Sequence, residues 1–426
     1  MVAILIIGLF VFFALNIPIS FSMILTSVIY LLFKGDIPLI VAAHRVAAGT
    51  DQYLLLCIPF FFLAGELMNA GGIMTRLVGF AKSLVGHIPG GLGHVNVVSS
   101  MLFSGISGSA VSDASGLGML EIELMRRSGY DDKFSGAITA ASATIGPVIP
   151  PSIPFVIYGG ITGVSVGRLF LGGIIPGLLM GLFLMAFVYR IAIKRGYEKS
   201  KRATLLEILR ELYRSILVLI LPLIILGGIL SGAFTPTEAA VVAAVYALVV
   251  GTLILKGIRF REVFPLLVRV GSNSAKLLFI IASASLFGWI MAREGVPLLL
   301  AKTFLSISNN PYVILFLVNI LLLALGCFME PITIMIILVP ILTPLIETLG
   351  IDPVHFGVVI TLNLMIGLVT PPLGMVMFVV VNIANITIGE LSRELLPLLG
   401  ALLIVLLLIT YIPSLVLWIP NLIMSQ

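Results

Sequence analysis

The chain has 426 residues, of which 60% are hydrophobic and only 10% are charged, with a formal net charge of +5. Soluble domains carry about 25% charged residues, so the composition excludes a mainly soluble protein. Apolar runs close to the roughly 20 residues that cross a bilayer recur along the chain. The sequence therefore predicts an all-α polytopic membrane protein, whose positive charges report topology rather than nucleic-acid binding.

The first part of the chain, residues 1–84, is predicted to form N-terminal scaffold and arm helices, beginning with a retained membrane segment rather than a signal peptide. A re-entrant helical hairpin is predicted at about 92–125. Its tip, residues 105–113, reads GISGSAVSD. Non-helical backbone at membrane depth must be buried in protein or line a wet cavity. The hairpin ends at Arg126-Arg127, which the positive-inside rule places in the cytoplasm.

A broken helix is predicted next, at about 134–162. Its interior run, residues 144–151, reads TIGPVIPP and ends in two adjacent prolines. Proline lacks an N–H donor and clashes with the preceding turn, so this pair cannot continue a helix. Broken membrane helices in corresponding positions of two halves are typical of transporter binding sites.

The middle of the chain, residues 176–294, is predicted to form scaffold helices. Its basic connector, residues 196–214, combines Lys and Arg with regularly spaced leucines, which predicts an amphipathic helix on the cytoplasmic membrane surface. A second hairpin is predicted at about 311–346, because each of its arms has only about 15 residues, short for a span. A second broken helix (about 354–385) and a C-terminal scaffold helix (396–426) complete the prediction.

The two halves of the chain repeat each other at a constant spacing of 221 residues. Gly105 pairs with Gly326 at this spacing, Gly146 pairs with Gly367, and the Pro-Pro pair at 150–151 matches that at 371–372. Hairpins instead of full crossings let both halves obey the positive-inside rule, and an odd number of crossings per half makes the halves inverted. The transport domain is predicted at 85–175 and 295–395, with both chain termini outside.

The tips and breaks offer hydroxyl, carbonyl and carboxylate oxygens with little total charge, which suit Na⁺ better than a transition metal. The predicted Na⁺ ligands are Ser107, Ser109, Ser112, Thr144, Gly146, Gly326, Glu330, Thr333, Gly367 and Thr370. Half-helix N-termini are partly positive and attract an anion. The predicted substrate-binding residues are Gly108, Asp113, Pro150, Pro151, Ser152, Asn363, Pro371, Pro372 and Asn382. A lone serine more commonly bonds its own backbone, but duplication at one spacing favours a site.

Four runs resemble the large membrane (M) subunit of TRAP transporters, the tripartite ATP-independent periplasmic transporters. They are SGISGSAVSD at 104–113, TIGPVIPPS at 144–152, FTPTEA at 234–239 and GLVTPPLG at 367–374. The resemblance covers essentially the whole chain. It implies a sodium-driven importer of organic acids, such as C4-dicarboxylates or sialic acid, in a bacterial or archaeal plasma (inner) membrane. It also implies an elevator-type transport domain built from the hairpins and broken helices.

The same resemblance implies two partners, a small four-helix membrane (Q) subunit and a periplasmic substrate-binding (P) protein. The chain begins at its first M-like helix, so the small subunit is expected as a separate chain. A single-component sodium-coupled carboxylate symporter of related inverted-repeat fold stays open as an alternative. An antiporter would need a proton-carrying carboxylate in the breaks, and 144–152 and 365–374 contain none. No enzyme activity is expected, because the four histidines form no catalytic or metal-binding pattern.

Overall fold

The computed structural model describes residues 2–197 and 199–424, which fold into helices joined by short connections. A 3₁₀ turn at Tyr53–Leu56 leads into α4, and a π-helical turn at Val250–Ile254 extends α13. The helices are α1 (Val2–Ala14), α2 (Ile19–Lys34), α3 (Ile40–Thr50), α4 (Cys57–Ala70), α5 (Met74–Val85), α6 (Gly91–Ser107), α7 (Ala110–Ser115), α8 (Leu117–Arg127), α9 (Asp132–Ala143), α10 (Ile153–Thr162), α11 (Val166–Arg195), α12 (Leu205–Leu230), α13 (Pro236–Val249), α14 (Phe260–Arg293), α15 (Val296–Ile307), α16 (Pro311–Gly326), α17 (Pro331–Thr348), α18 (Pro353–Gly367), α19 (Met375–Ala384), α20 (Ile388–Tyr411) and α21 (Ser414–Ile423).

Seven helical segments in the described part of the chain are long and apolar enough to cross a membrane, and the bent pair α15–α16 would make an eighth. The predicted all-α polytopic membrane class is therefore confirmed. One of the seven is α17, which the sequence assigns to a hairpin arm, so the re-entrant path of the second hairpin stays a prediction. The side of the membrane on which the termini lie also stays a prediction, and positions 1, 425 and 426 fall outside the described residues.

Local chemistry sets the helix boundaries around the tips and breaks. Gly108 ends α6 with φ of +57°, a left-handed conformation that glycine adopts without steric cost. Ser109 begins α7 and Ser152 begins α10, each by accepting a hydrogen bond from the backbone N–H three residues later. Glu330 caps α17 in the same way. Polar side chains therefore start α7, α10 and α17, three of the helices that surround the site.

The two halves of the chain pack crosswise around the tips. Within each half, α6 packs on α9 and α16 packs on α18. Between the halves, α7 contacts α19, and α17 contacts α10. Each hairpin therefore contacts the broken helix of its own half and that of the other half, so both tips and both breaks converge. Elsewhere α4 packs on α13, and α3 packs on α14.

The helices follow the same order in both halves at nearly the same spacing. α9 begins at residue 132 and α18 at residue 353, which are 221 residues apart. The pairs α6 and α16, α10 and α19, and α11 and α20 follow the same order. The inverted orientation of the halves stays a prediction, as does the division at 85–175 and 295–395. Both α11 and α20 run unbroken across the limits of that division.

The structure differs from the expectation for the connector at 196–214. Its helical part is the beginning of α12, which continues without interruption to Leu230 rather than forming a separate surface helix. A capping box between Thr204 and Glu207 fixes the start of α12. No glycine or proline follows until Pro222, so nothing stops the helix at the membrane surface. Position 198 lies outside the described residues.

The first tip is shorter than the expected irregular run 105–113. α6 continues to Ser107 and α7 begins at Ala110, because Gly108 and Ser109 alone make the turn. The two breaks are longer: residues 144–152 separate α9 from α10, and residues 368–374 separate α18 from α19. Non-helical backbone near the tips therefore comes mainly from the breaks.

Candidate functional site

A cavity lies where both hairpin tips and both helix breaks meet. It contains about 460 Å³ of empty space, part of which is open to the outside of the protein, and it contacts α4 through Phe62. The first hairpin contributes Gly108, Ser109, Ala110 and Val111 to the lining, and the first broken helix contributes Pro147, Ile153 and Pro154. The second hairpin contributes Glu330, Pro331 and Ile332, and the second broken helix contributes Met365, Leu368 and Met375.

The first tip contacts the first break through backbone atoms. A Cβ atom added to Gly108 would lie only 2.7 Å from the carbonyl oxygen of Pro151. One added to Gly146 would lie 3.6 Å from the carbonyl oxygen of Ser109. Glycine at both positions therefore lets the two backbones approach closely, with the Pro151 carbonyl oxygen against the tip and the Ser109 carbonyl oxygen against the break. Carbonyl oxygens are ligands that a hard cation uses.

The second tip contacts the second break through two glycines. A Cβ atom on Gly367 would lie 2.7 Å from the Cα atom of Gly326, and one on Gly326 would lie 3.1 Å from the Cα atom of Gly367. Beside them, the Glu330 carboxylate accepts hydrogen bonds from Thr333 N (2.8 Å) and Thr333 Oγ1 (3.2 Å). The structure thus pairs Gly326 with Gly367 and Glu330 with Thr333, and all four residues are predicted Na⁺ ligands.

Four helices begin at the cavity, one of them the short α7. Their first residues, including Ile153 of α10, Pro331 of α17 and Met375 of α19, belong to its lining. The N-terminus of a helix carries a partial positive charge and unsatisfied N–H groups, which favour an anion. Glu330 adds a carboxylate on the same wall. The cavity can therefore hold an anion next to oxygen ligands that suit a cation.

The predicted Na⁺ ligands of the first half lie at the first tip and break. Ser109 lines the cavity, and Ser107 is buried beside it, with its Oγ accepting a 3.4 Å hydrogen bond from Ser109 N. Ser112 is half-buried, and its N–H donates to Ser109 Oγ at 3.4 Å. Thr144 donates its hydroxyl to Ala141 O at 2.6 Å. The Thr144 hydroxyl oxygen keeps lone pairs for a ligand, because its proton is already used.

In the second half, Glu330 is the predicted Na⁺ ligand that lines the cavity. Thr370 is outside the lining, and its hydroxyl donates to Ile366 O at 2.7 Å. Thr370 lies in the second break, and its hydroxyl therefore bonds back to the last turn of α18.

The predicted substrate residues of the first half take different positions. Gly108 lines the cavity. Pro150 and Pro151 lie against the tip, with carbonyl oxygens near the Cβ positions of Gly105 and Gly108. Asp113 is buried outside the lining, where its Oδ1 accepts a 3.3 Å hydrogen bond from Ser100 Oγ.

Ser152 is also buried, and it serves the helix rather than the cavity. It caps α10 and donates its hydroxyl to Pro147 O. Its hydroxyl therefore donates to the backbone of the break and accepts from the backbone of α10.

None of the predicted substrate residues of the second half belongs to the cavity lining. Asn363 is buried behind the cavity, where its Nδ2 donates to Asn319 Oδ1 at 2.8 Å and to Asn319 O at 3.0 Å. Asn382 donates to the backbone oxygen four residues earlier at 2.7 Å. Pro371 is half-buried and Pro372 is exposed. The second break therefore turns its prolines outward, whereas the first buries Pro150 and Pro151.

Two groups of residues were missed by sequence reasoning. Apolar lining residues such as Phe62 and Met365 carry no sequence signal, because in an apolar helix they look like packed core. Glu121 was also missed. It is a buried carboxylate in α8 whose two oxygens have no hydrogen-bond partner in the described part of the chain. A signal was present here, since ionisable residues inside membrane segments are rare and usually functional.

A family model described as the tripartite ATP-independent periplasmic transporter, DctM component, matches residues 6–415. The sialic acid TRAP transporter large permease protein SiaM of Vibrio cholerae is 46% identical over 95% of this chain and 95% of its own length. The sialic acid TRAP transporter permease protein SiaT of Haemophilus influenzae is 40% identical over 96% of this chain and 66% of its own length. The crystal structure of the Alcanivorax borkumensis YdaH transporter shares the fold, with a TM-score of 0.64 at 16% identity over 87% of this chain and 86% of that one.

Proposed function

The chain belongs to the tripartite ATP-independent periplasmic transporter family, DctM component, and from this premise we propose that it is the large membrane subunit of a sodium-driven importer of organic acid anions. Sialic acid is the substrate to test first, because SiaM and SiaT, at 46% and 40% identity, are named for it. The observation that carries the proposal is the cavity bounded by both hairpin tips and both helix breaks.

The proposed Na⁺ ions bind where tip and break meet in each half. In the first half the ligands are oxygens around Ser109 and Gly146. In the second half they lie around Gly326 and Gly367, next to the Glu330 carboxylate. The close approaches at these glycines support this assignment, because each brings the backbone of a tip against that of a break, and the carbonyl oxygens of Ser109 and Gly326 lie at these contacts.

The proposed anion lies between these positions, at the N-termini of α10 and α19. Cations on either side attract it more strongly than they would in bulk water, because the surrounding protein has a lower dielectric constant. Na⁺ and the organic acid therefore bind cooperatively, and the inward Na⁺ gradient drives uptake. The tips and breaks travel together as an elevator-type unit, a proposal supported by the crosswise contacts of α7 with α19 and α10 with α17.

The complete importer includes a small four-helix membrane subunit and a periplasmic substrate-binding protein. This chain is proposed to lie in a bacterial inner membrane with both termini outside. The chain supplies the passage and the ion coupling, and the binding protein supplies the substrate.

The test is uptake of radiolabelled sialic acid by proteoliposomes containing this chain and its small subunit, with the binding protein added outside. Uptake should require an inward Na⁺ gradient and should fall to background in K⁺. Ser109→Ala should reduce the apparent affinity for Na⁺ several-fold. The matched control is Ser306→Ala, which removes an exposed serine hydroxyl on α15 that bonds Thr303 O at 2.7 Å.

Uptake that ignores the Na⁺ gradient would contradict the coupling. Full uptake without the binding protein would instead favour a single-component symporter. Uptake of a C4-dicarboxylate in place of sialic acid would retain the mechanism and correct the substrate.

A further inference from the structure

A polar cluster lies inside the first half, behind the hairpin tip and outside the cavity. We call it the hairpin cluster. Its members come from α6, α7, α8 and α9, which pack against one another, and each is at most 3% exposed: Asn96, Ser99, Ser100, Asp113, Glu121 and Ser142. Asp113 N donates a hydrogen bond to Ser109 O at 3.1 Å, so one helical turn separates the cluster from the tip.

Part of the hairpin cluster is a connected hydrogen-bond chain. Ser100 Oγ lies 3.3 Å from Asp113 Oδ1 and 3.2 Å from Ser142 Oγ. Ser142 Oγ donates to Asn96 Oδ1 at 2.7 Å, and Asn96 Nδ2 donates to Thr139 Oγ1 at 2.8 Å. The chain fixes one side of the cluster and points one oxygen of Asp113 into it.

The other side of the cluster is unsatisfied. Asp113 Oδ2, both carboxylate oxygens of Glu121, and Ser99 Oγ are buried without a hydrogen-bond partner among the described residues. The ion pairs found in the described part of the chain include neither carboxylate. The start of α8 packs against Asp113, since a Cβ atom on Gly118, one turn before Glu121, would lie 3.5 Å from the Asp113 carbonyl oxygen. Ser99 lies beside Glu121. Buried carboxylates without a compensating partner are costly.

The second half shows that packing alone does not require this polarity. At the spacing of 221 residues, the positions of Asn96, Ser99, Ser100, Asp113 and Glu121 are occupied by apolar side chains, and Ser142 corresponds to Asn363. The apolar counterparts are Leu317, Ile320, Leu321, Ile334 and Leu342. The corresponding helices of the second half thus carry hydrocarbon side chains at these five positions. Packing therefore does not explain the polar side chains of the first half, and we infer that they bind a ligand.

We propose that the hairpin cluster binds a small hard cation, with Asp113 and Glu121 as its charged ligands and Ser99 as a neutral one. Carboxylate, hydroxyl and amide oxygens are the donors that such ions prefer. This site goes beyond the proposed Na⁺ positions at the tips and exists in one half only. A bound cation joins α7 to α8 directly behind the tip, and so fixes the hairpin that carries Ser109.

The test compares purified, detergent-solubilised variants of the full chain by thermal shift, at constant ionic strength, with choline replaced by Na⁺, K⁺, Mg²⁺ or Ca²⁺. Glu121→Gln should weaken the apparent affinity for the stabilising cation at least tenfold. In choline alone it should melt no lower than wild type, because it removes an uncompensated buried charge. Glu123→Gln is the matched control on the same helix, since the Glu123 side chain is 43% exposed and its carboxylate bonds Arg127 at 2.8 Å.

Ser109→Ala separates this site from the proposed function. It should impair Na⁺-driven uptake and remove only the part of the thermal response that comes from Na⁺ at the tip, so adding Glu121→Gln to Ser109→Ala should weaken the remaining cation response further. Should Glu121→Gln fail to fold, Asp113→Asn and Ser99→Ala carry the same expectation. An equal cation response in all cluster variants would overturn the proposal. So would a melting temperature that responds to pH but to none of the four cations, since the carboxylates would then hold a proton.

Discussion

The contact between Gly326 and Gly367 can be tested by adding one methyl group. In Gly367→Ala the new Cβ atom would lie 2.7 Å from Gly326 Cα, 2.9 Å from its carbonyl carbon and 3.0 Å from its oxygen. These are backbone atoms, which cannot rotate away as a side chain can. Overpacking of this kind costs about 1–3 kcal/mol. Gly326→Ala should cost less, because its nearest contact is 3.1 Å.

The assay is the free energy of unfolding in denaturant, with uptake measured in parallel. The matched control is Gly400→Ala in α20, where a Cβ atom meets nothing within 4 Å. That variant should be neutral or more stable by up to about 1 kcal/mol, because alanine is the better helix former. Gly367→Ala should be the least stable of the three and should lose most uptake. Equal stability and uptake in Gly367→Ala and Gly400→Ala would refute the close contact between tip and break.

Three further changes test other parts of the molecule. Asn363→Ala should lower the free energy of unfolding by about 1–3 kcal/mol, because it leaves buried groups of Asn319 unpaired; an unchanged denaturation midpoint would argue against the pair. Ser107→Ala combined with Ser109→Ala should reduce the rise in melting temperature that Na⁺ causes, with little change in K⁺, and an undiminished Na⁺ response would remove both hydroxyls from the ion site. Thr204→Ala should cost about 1 kcal/mol through loss of its capping box and leave Na⁺ dependence intact; altered Na⁺ affinity in this variant would tie the start of α12 to ion coupling.

Much of the helix plan could be predicted from local sequence. The two arms of the second hairpin were expected within about 311–346, and the structure has α16 at Pro311–Gly326 and α17 at Pro331–Thr348. The breaks were equally readable, because adjacent prolines stop a helix wherever the chain goes. The sequence did not show where the connector ends, because α12 begins in the polar part of the connector and continues into the apolar run that follows.

The direction of individual side chains could not be predicted, because it depends on packing between distant segments. Asp113 sits in the run that forms the first tip, yet one turn of α7 directs it toward Ser100 instead of the cavity. Asn363 precedes the second break but bonds Asn319 of α16. Phe62 enters the lining from α4, outside both halves of the predicted transport domain. Sequence spacing identifies such residues as candidates and leaves their surroundings to the tertiary fold.

The central claim is that Na⁺ and the organic acid bind between the two tips. Val111, 37% exposed, lines that cavity and can carry a reporter. The measurement is the rate at which a thiol reagent modifies Val111→Cys, after Cys57 and Cys327 are replaced by serine. Na⁺ with sialic acid should slow modification at least several-fold, and should leave Leu422→Cys, on the exposed face of α21, unchanged. Modification of Val111→Cys at the same rate with and without both ligands, in a protein that still transports, would contradict the account.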